Sequence, residues 1–150
     1  MTQKAELGKS GEDLACGYLV DKGYKIIERN FRKPWGELDI IAKSPDKTLV
    51  FVEVKTMRKF GNEFGDQSGN DFGRGAKLSS YGRSVVGRPD SGIEPEMQMT
   101  QAKIKKTKRA ASLYAGAFPE KIDEKAGWRI DLLALTINTK DCIINHYENI

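Results

Sequence analysis

Histidine occurs once and cysteine twice in the 150 residues of this chain. His146 has no ligand-spaced partner and is read as structural. Cys16 and Cys142 lie far apart, in no C-x-x-C or Cys/His cluster, so they indicate neither a zinc site nor a disulfide framework, and both are expected as buried free thiols. No apolar run approaches the roughly 20 residues that span a bilayer, which excludes a helical membrane protein. The opening MTQKAELGKSGED lacks the apolar stretch of a signal peptide, and a cytoplasmic location is the expectation.

What the chain does have is charge, 31% of its residues, against 39% hydrophobic, the balance of an ordinary soluble globular domain. One domain over 1–150 is expected, large enough to bury about 70% of its unfolded surface. The formal net charge is only +4, so placement matters more than total. KIKKTKR, residues 103–109, holds five basic residues and no acid. Such a stripe is either a solvated helix face or a phosphate-binding one, in which case Lys105, Lys106, Lys108 and Arg109 contact nucleic acid.

Apolar spacing predicts a helix in SGEDLACGYLVDKG, with Ser10 as N-cap or a start as early as Thr2, Leu14, Ala15, Tyr18 and Leu19 inward, Glu12 on the border of that stripe and Gly23 as the stop. Strands are predicted over 24–32, 37–43 and 48–56, then a helix over 100–116 capped by Thr100, stopped by Gly116 and directing Ile104, Ala111 and Tyr114 inward. Two further strands follow over 128–136 and 142–148. A strand, a crossover helix and a strand make the third and fourth strands parallel neighbours. The fold class is α/β, a mixed sheet flanked by helices in the order α-β-β-β-α-β-β.

Between these elements, at about residues 57–98, periodicity fails, glycine recurs eight times and G-N-acid-F-G occurs at 61–65 and 69–73. A mobile insert is expected there, with a protein partner held by it as one option.

The stretch VFVEVK, residues 50–55, reads as a buried strand interrupted by two opposite charges. With a side-chain period of two, Glu53 and Lys55 share a face with Leu49 and Phe51, while Val50, Val52 and Val54 make the other face wholly apolar. In ELDIIA, Glu37 and Asp39 share a face with Ile41, opposite Leu38, Ile40 and Ala42. If the two strands pair in an even-sum antiparallel register, Asp39 lies across from Glu53 and Glu37 across from Lys55 or close to it; an odd register scatters them onto opposite faces. Cross-strand salt bridges such as Glu37 with Lys55 would explain the lysine, but not two facing carboxylates, which repel unless a positive charge stands between them. A hard divalent cation, Mg2+ or Mn2+, fits oxygen ligands of this kind, and Lys55 would then orient a water or stabilise a phosphate in transfer.

An acid on one strand and E-x-K on the next resembles the PD-(D/E)XK nuclease superfamily, whose fold is restriction-endonuclease-like. The wider text GEDLACGYL, GYKIIERNFR, GELDIIA, VFVEVK and WRIDLLAL, with the basic helix, resembles the YraN family of bacterial proteins over nearly the whole chain outside 57–98. Archaeal Holliday junction resolvases look similar in arrangement. The resemblance implies a DNA endonuclease acting on structured or branched DNA in repair or recombination. Asp39 and Glu53 would hold the metal, Lys55 would assist the chemistry and Glu12 would support the metal from the helix. Glu37 matches the G-E-x-D motif. The superfamily's proline before the aspartate is Leu38 here, and the insert is longer than the resemblance leads one to expect. Gln101 and Lys103 stand where related nucleases place an extra polar residue, Lys103 for catalytic support or plain phosphate contact. The pairs Arg129 with Asp131 and Asn30 with Arg32 are read as structural. A non-catalytic nucleic-acid-binding accessory protein is the alternative, and a homodimer is left open.

Overall fold

The computed structural model describes residues 3–58, 100–138 and 141–150. Helix α1 (Gln3–Asp21) leads into strands β1 (Lys25–Lys33), β2 (Gly36–Lys43) and β3 (Leu49–Arg58), helix α2 (Gln101–Ala117), and strands β4 (Trp128–Ile137) and β5 (Cys142–Tyr147). One five-stranded sheet runs in the order β1-β2-β3-β4-β5, antiparallel except for the parallel β3–β4 pair. The mixed α/β sheet expected from the sequence is therefore present, with the crossover joining its two parallel strands. Of the glycine-rich stretch, residues 57 and 58 continue β3, and 59–99 lie outside the described residues.

Two apolar clusters place the helices on opposite faces of the sheet. Ala15, Tyr18 and Leu19 of α1 pack with Ile40, Ala42, Val50 and Val52, while Ala110, Ala111 and Tyr114 of α2 pack with Ile41, Leu49 and Phe51. The alternation of β3 is thus realised as read: its valines face α1, its even-spaced partners α2.

Three local readings are corrected. Ser10 does not cap α1 but lies inside it, because the helix begins at Gln3, the earlier of the two starts considered. Within the helix, Gly11 lies against Thr56 so closely that a Cβ there would overlap the threonine hydroxyl. Gly116 does not stop α2, which continues to Ala117; Phe118 caps it, its amide donating to Tyr114 at 3.0 Å and its ring packing on that tyrosine. Leu38 does not share a face with Ile40, since it joins Ile41 in the α2-side cluster. Strict alternation breaks between them, beside Asn30 of β1, whose φ of 51° is left-handed and lies between the pairs Arg29↔Ile40 and Phe31↔Leu38. Gly23 does end α1: its φ is +83°, and the amides of Gly23 and Tyr24 return to Val20 and Leu19, a Schellman closure. Ile104 is only half-buried, while Ala111 and Tyr114 are buried as expected.

On the α1 face, Asp131 is fully buried yet saturated. Arg129 Nε donates to it at 2.9 Å, His146 Nε2 lies at 2.9 Å, and the Asn149 amide donates at 3.0 Å. Arg129 also donates to the Tyr24 hydroxyl at 3.0 Å. The structural reading of Arg129, Asp131 and His146 is supported, with the addition that all three meet in one network tying β4, β5 and the α1–β1 junction. Cys16 and Cys142 are free and half-buried, and burial raises both thiol pKa values.

Burial acts to raise the Asp131 pKa, but hydrogen bonds from His146, Arg129 and the Asn149 amide outweigh it and hold the carboxyl below its ordinary 3.8. A depressed carboxylate contributes stability above its unfolded pKa and loses it as pH falls through the folded one. Asp131→Ala, which removes the buried partner of Arg129 and leaves it only the more exposed carboxylates of Glu148 and Asp46, is expected to lower the unfolding free energy by ~2–4 kcal/mol at neutral pH. The deficit should narrow as pH drops below about 4, read from urea midpoints; a variant as stable as wild type would contradict the network's role.

Candidate functional site

β2 and β3 part at their site-bearing ends. Their ladder runs from Lys43↔Leu49 to Ile40↔Val52 and goes no further. One more step of this register, the even-sum one of the two parities considered, sets Asp39 across from Glu53. There the side chain replaces the strand as acceptor: the Val54 amide donates to Asp39 Oδ2 at 2.9 Å. The carboxylate is fixed by a backbone bond at the mouth of the opening between the strands.

Glu53 is 2% exposed, an expensive location for a carboxylate without counter-charge. Two ammonium groups converge on its Oε1, Lys103 Nζ at 3.2 Å and Lys55 Nζ at 3.4 Å. Thr107 Oγ1 stands 3.5 Å from Oε2. Lys103 and Thr107 are one turn apart on α2, so a single helix face supplies both contacts. Close approach of this helix to β2 depends on small residues: a Cβ on Gly36 would stand 2.6 Å from Ala110 Cβ. Burial alone would lower the Lys103 pKa, but the charge and hydrogen bond of Glu53, with the charges of Asp39 and Glu37, raise it.

Asp39 is left less well compensated. Burial and then the neighbouring Glu53 charge raise its pKa to about 6, against the Val54 hydrogen bond and Lys103, with Glu12 adding a smaller push upward. The structure thus brings together Asp39, Glu53, Lys55 and Lys103. Glu12 belongs to the helix on the opposite face and stands at the margin, where it lines a cavity of about 590 Å3 with Lys9, Asp13, Arg29, Asn30 and Arg32. Glu37 is exposed at the rim, beyond the break in alternation, and the pair considered for it does not form: Lys55 engages Glu53 of its own strand. Gln101, Lys105, Lys106, Lys108 and Arg109 are exposed along α2. Asn30 and Arg32 share the marginal cavity, while Arg29 pairs with Asp13.

Thr107 was not singled out from the sequence, although its spacing of four from Lys103 and seven from Tyr114 carries the signal. Among the described residues no group of three or more His, Cys, Asp or Glu side chains is set to hold a metal. The donor pair that does fit a cation is Asp39 with Glu53: two facing carboxylates, one of them short of positive charge, match the one or two protein carboxylates by which Mg2+ is commonly bound.

The fold and site define an α/β protein with a carboxylate–lysine cluster at the opening of a mixed sheet. Residues 11–135 match the family described as "Uncharacterised protein family UPF0102", and the chain belongs to that family. It is 35% identical to a UPF0102 protein of Thermodesulfovibrio yellowstonii, over 97% of this chain and 96% of the relative, and 35% identical to one of Syntrophomonas wolfei, over 96% of each. A shorter match, 58% identical over 60 residues, is to a UPF0102 protein of Caldicellulosiruptor saccharolyticus and covers 39% of this chain and 50% of the relative. The YraN-like resemblance is supported at the level of this family. No helix among the described residues is long and apolar enough to cross a membrane.

A carboxyl whose folded pKa is raised costs stability when ionised. That cost is full above about pH 6 and vanishes as pH falls toward the ordinary 3.8. With a chelator present, Asp39→Asn is expected to stabilise the protein by ~1–3 kcal/mol at pH 7.5 and by nothing at pH 4, read from urea midpoints at both values. Equal stability at pH 7.5 would mean that the carboxylate is not under repulsion.

Proposed function

We propose that this protein is a metal-dependent nuclease hydrolysing phosphodiester bonds in DNA, with structured or branched DNA as its preferred form. The observation that carries the reading is Glu53, buried beneath two lysines and facing Asp39 where two strands separate. The element order, the acid on β2 and E-x-K on β3 agree with the PD-(D/E)XK arrangement that the sequence resembles.

Asp39 and Glu53 would hold Mg2+ or Mn2+, an ion that when bound supplies Lewis-acid charge toward the phosphate and lowers the pKa of water. Lys55, half-exposed beside Glu53, is placed to orient the attacking water or to offset charge developing on the phosphate. Lys103 fixes the second position of positive charge, and Thr107 holds the other Glu53 oxygen. Lys105, Lys106, Lys108 and Arg109 would track phosphates beside the site. Glu12, on the far side of the opening, would support the metal's waters rather than bind the ion itself.

One observation favours the accessory-protein alternative: Lys55 and Lys103 both pair with Glu53, which makes the pair of charges explicable by the fold itself. Cleavage decides between the two. Labelled duplex, single strand, flap and four-way junction are incubated with Mg2+ or Mn2+. Wild type is expected to cut one of them, and Asp39→Asn and Lys55→Ala to slow cutting by about 100-fold or more. Binding by all three proteins without cutting would favour the accessory role.

The basic stripe is tested by salt. Removing Lys105 and Lys106 together is expected to reduce the slope of log affinity against log salt by about 1.8. An unchanged slope would place the phosphate contacts elsewhere.

A further inference from the structure

Among the described residues, few large apolar side chains are exposed, and Trp128 is one of them, at the start of β4 with 37% of its surface open. It stands on the α2 face, its ring held edge-on to the fully buried Phe51 at a centroid distance of 5.6 Å and an interplanar angle of 77°. Together with Lys108 and Ser112 of α2 and Asn149 and Ile150, it lines a cavity of about 380 Å3. That volume falls in the ~300–1,000 Å3 range of ligand pockets. An anchored, half-open aromatic ring beside a lysine is a combination that accepts a flat heteroaromatic group carrying negative charge.

Two continuities point to the occupant. Lys108 belongs both to this cleft and to the exposed basic stripe of α2, a helix with no acidic residue between Gln101 and Ala117. Lys103, at the other end of the stripe, touches Glu53. Lys103 and Lys108 are separated by ~7.5 Å of helix rise and ~140° of rotation about the axis, so a strand passing from one to the other crosses the flank of α2. Trp128 pairs with Leu49, four residues before Glu53, or ~13 Å along the strand. A polyanion lying on α2 with one phosphate at the carboxylates would therefore reach the cleft within a few nucleotides.

We propose that the Trp128 cleft takes an unpaired nucleotide of the DNA strand engaged at the Asp39–Glu53 site, stacking its base on the indole while Lys108 meets its phosphate. The inference rests on the nuclease reading and deepens it: the substrate has unstacked nucleotides near the reactive phosphate, as a single strand, flap or junction does and a blunt duplex does not.

The test uses the full chain with Trp35→Phe, which leaves Trp128 as the sole tryptophan, in chelator and low salt. Binding of a labelled single strand and of a blunt duplex is followed by anisotropy, with indole emission read in parallel. Saturation with the single strand is expected to quench Trp128 emission along the same isotherm as the anisotropy, and the duplex to leave it nearly unchanged. In the otherwise wild-type chain, Trp128→Ala should weaken single-strand binding by about tenfold, duplex binding far less, and Trp128→Phe should restore most of the loss. Unchanged emission on saturation, or equal affinities across wild type and both variants, overturns the cleft assignment. Should metal-dependent cutting persist in that case, the nuclease reading stands without it; absence of binding to any DNA removes both. Lys108→Gln, at an exposed position, provides a second variant should Trp128→Ala not fold: the cleft assignment requires weaker single-strand binding from it, and unchanged affinity counts against it.

Discussion

The burial of Glu53 is the constraint around which the site-bearing end of this molecule is organised. A carboxylate almost removed from water must be met by hydrogen bonds and opposite charge. Lys55 meets it from the same strand, and Lys103 and Thr107 meet it from α2, so the helix must lie at one height on the sheet. That height in turn requires small residues where the helix comes close, Ala110 over Gly36. Electrostatics and packing therefore specify the same helix position, and a shift of α2 would break both.

Asp39 shows what the two lysines leave undone. They converge on one oxygen of Glu53, and the carboxylate opposite is anchored by a backbone amide instead of a cation. The result is a pair in which one acid is ion-paired with two lysines and the other has its pKa raised to about 6. A purely structural pair would be better served by an amide at position 39. The charge there is a physical argument for the positive partner proposed above.

Much of this was readable in the sequence, because strand periodicity is rigid. The two faces of β3 and the parallel β3–β4 pair follow from side-chain alternation and crossover geometry, and each is present; of the two register parities the sequence leaves open between β2 and β3, the even-sum one occurs. What escaped depends on contacts between distant segments. That residue 11 must be glycine is set by Thr56 of β3, which packs against it. The face of Leu38 changes beside a left-handed residue on the neighbouring strand, which no pattern within β2 reveals. Asp131 and His146, separated by 15 positions, meet only because β4 and β5 pair with Leu133 opposite His146.

The same reasoning divides the two charge networks by their chemistry. Around Asp131, hydrogen bonds to His146, Arg129 and the Asn149 amide lower the carboxyl's pKa, and the group is fully enclosed: every sign is of a cluster whose work is finished by folding. Around Asp39 and Glu53 the acid's pKa is raised, Lys55 is half-exposed and the strands have opened. Both arrangements carry acids and bases in close contact, so proximity alone cannot separate them. What does is the direction of compensation: a closed network stabilises its ions, whereas this one retains a repulsion that binding can relieve, at an edge where a ligand can arrive.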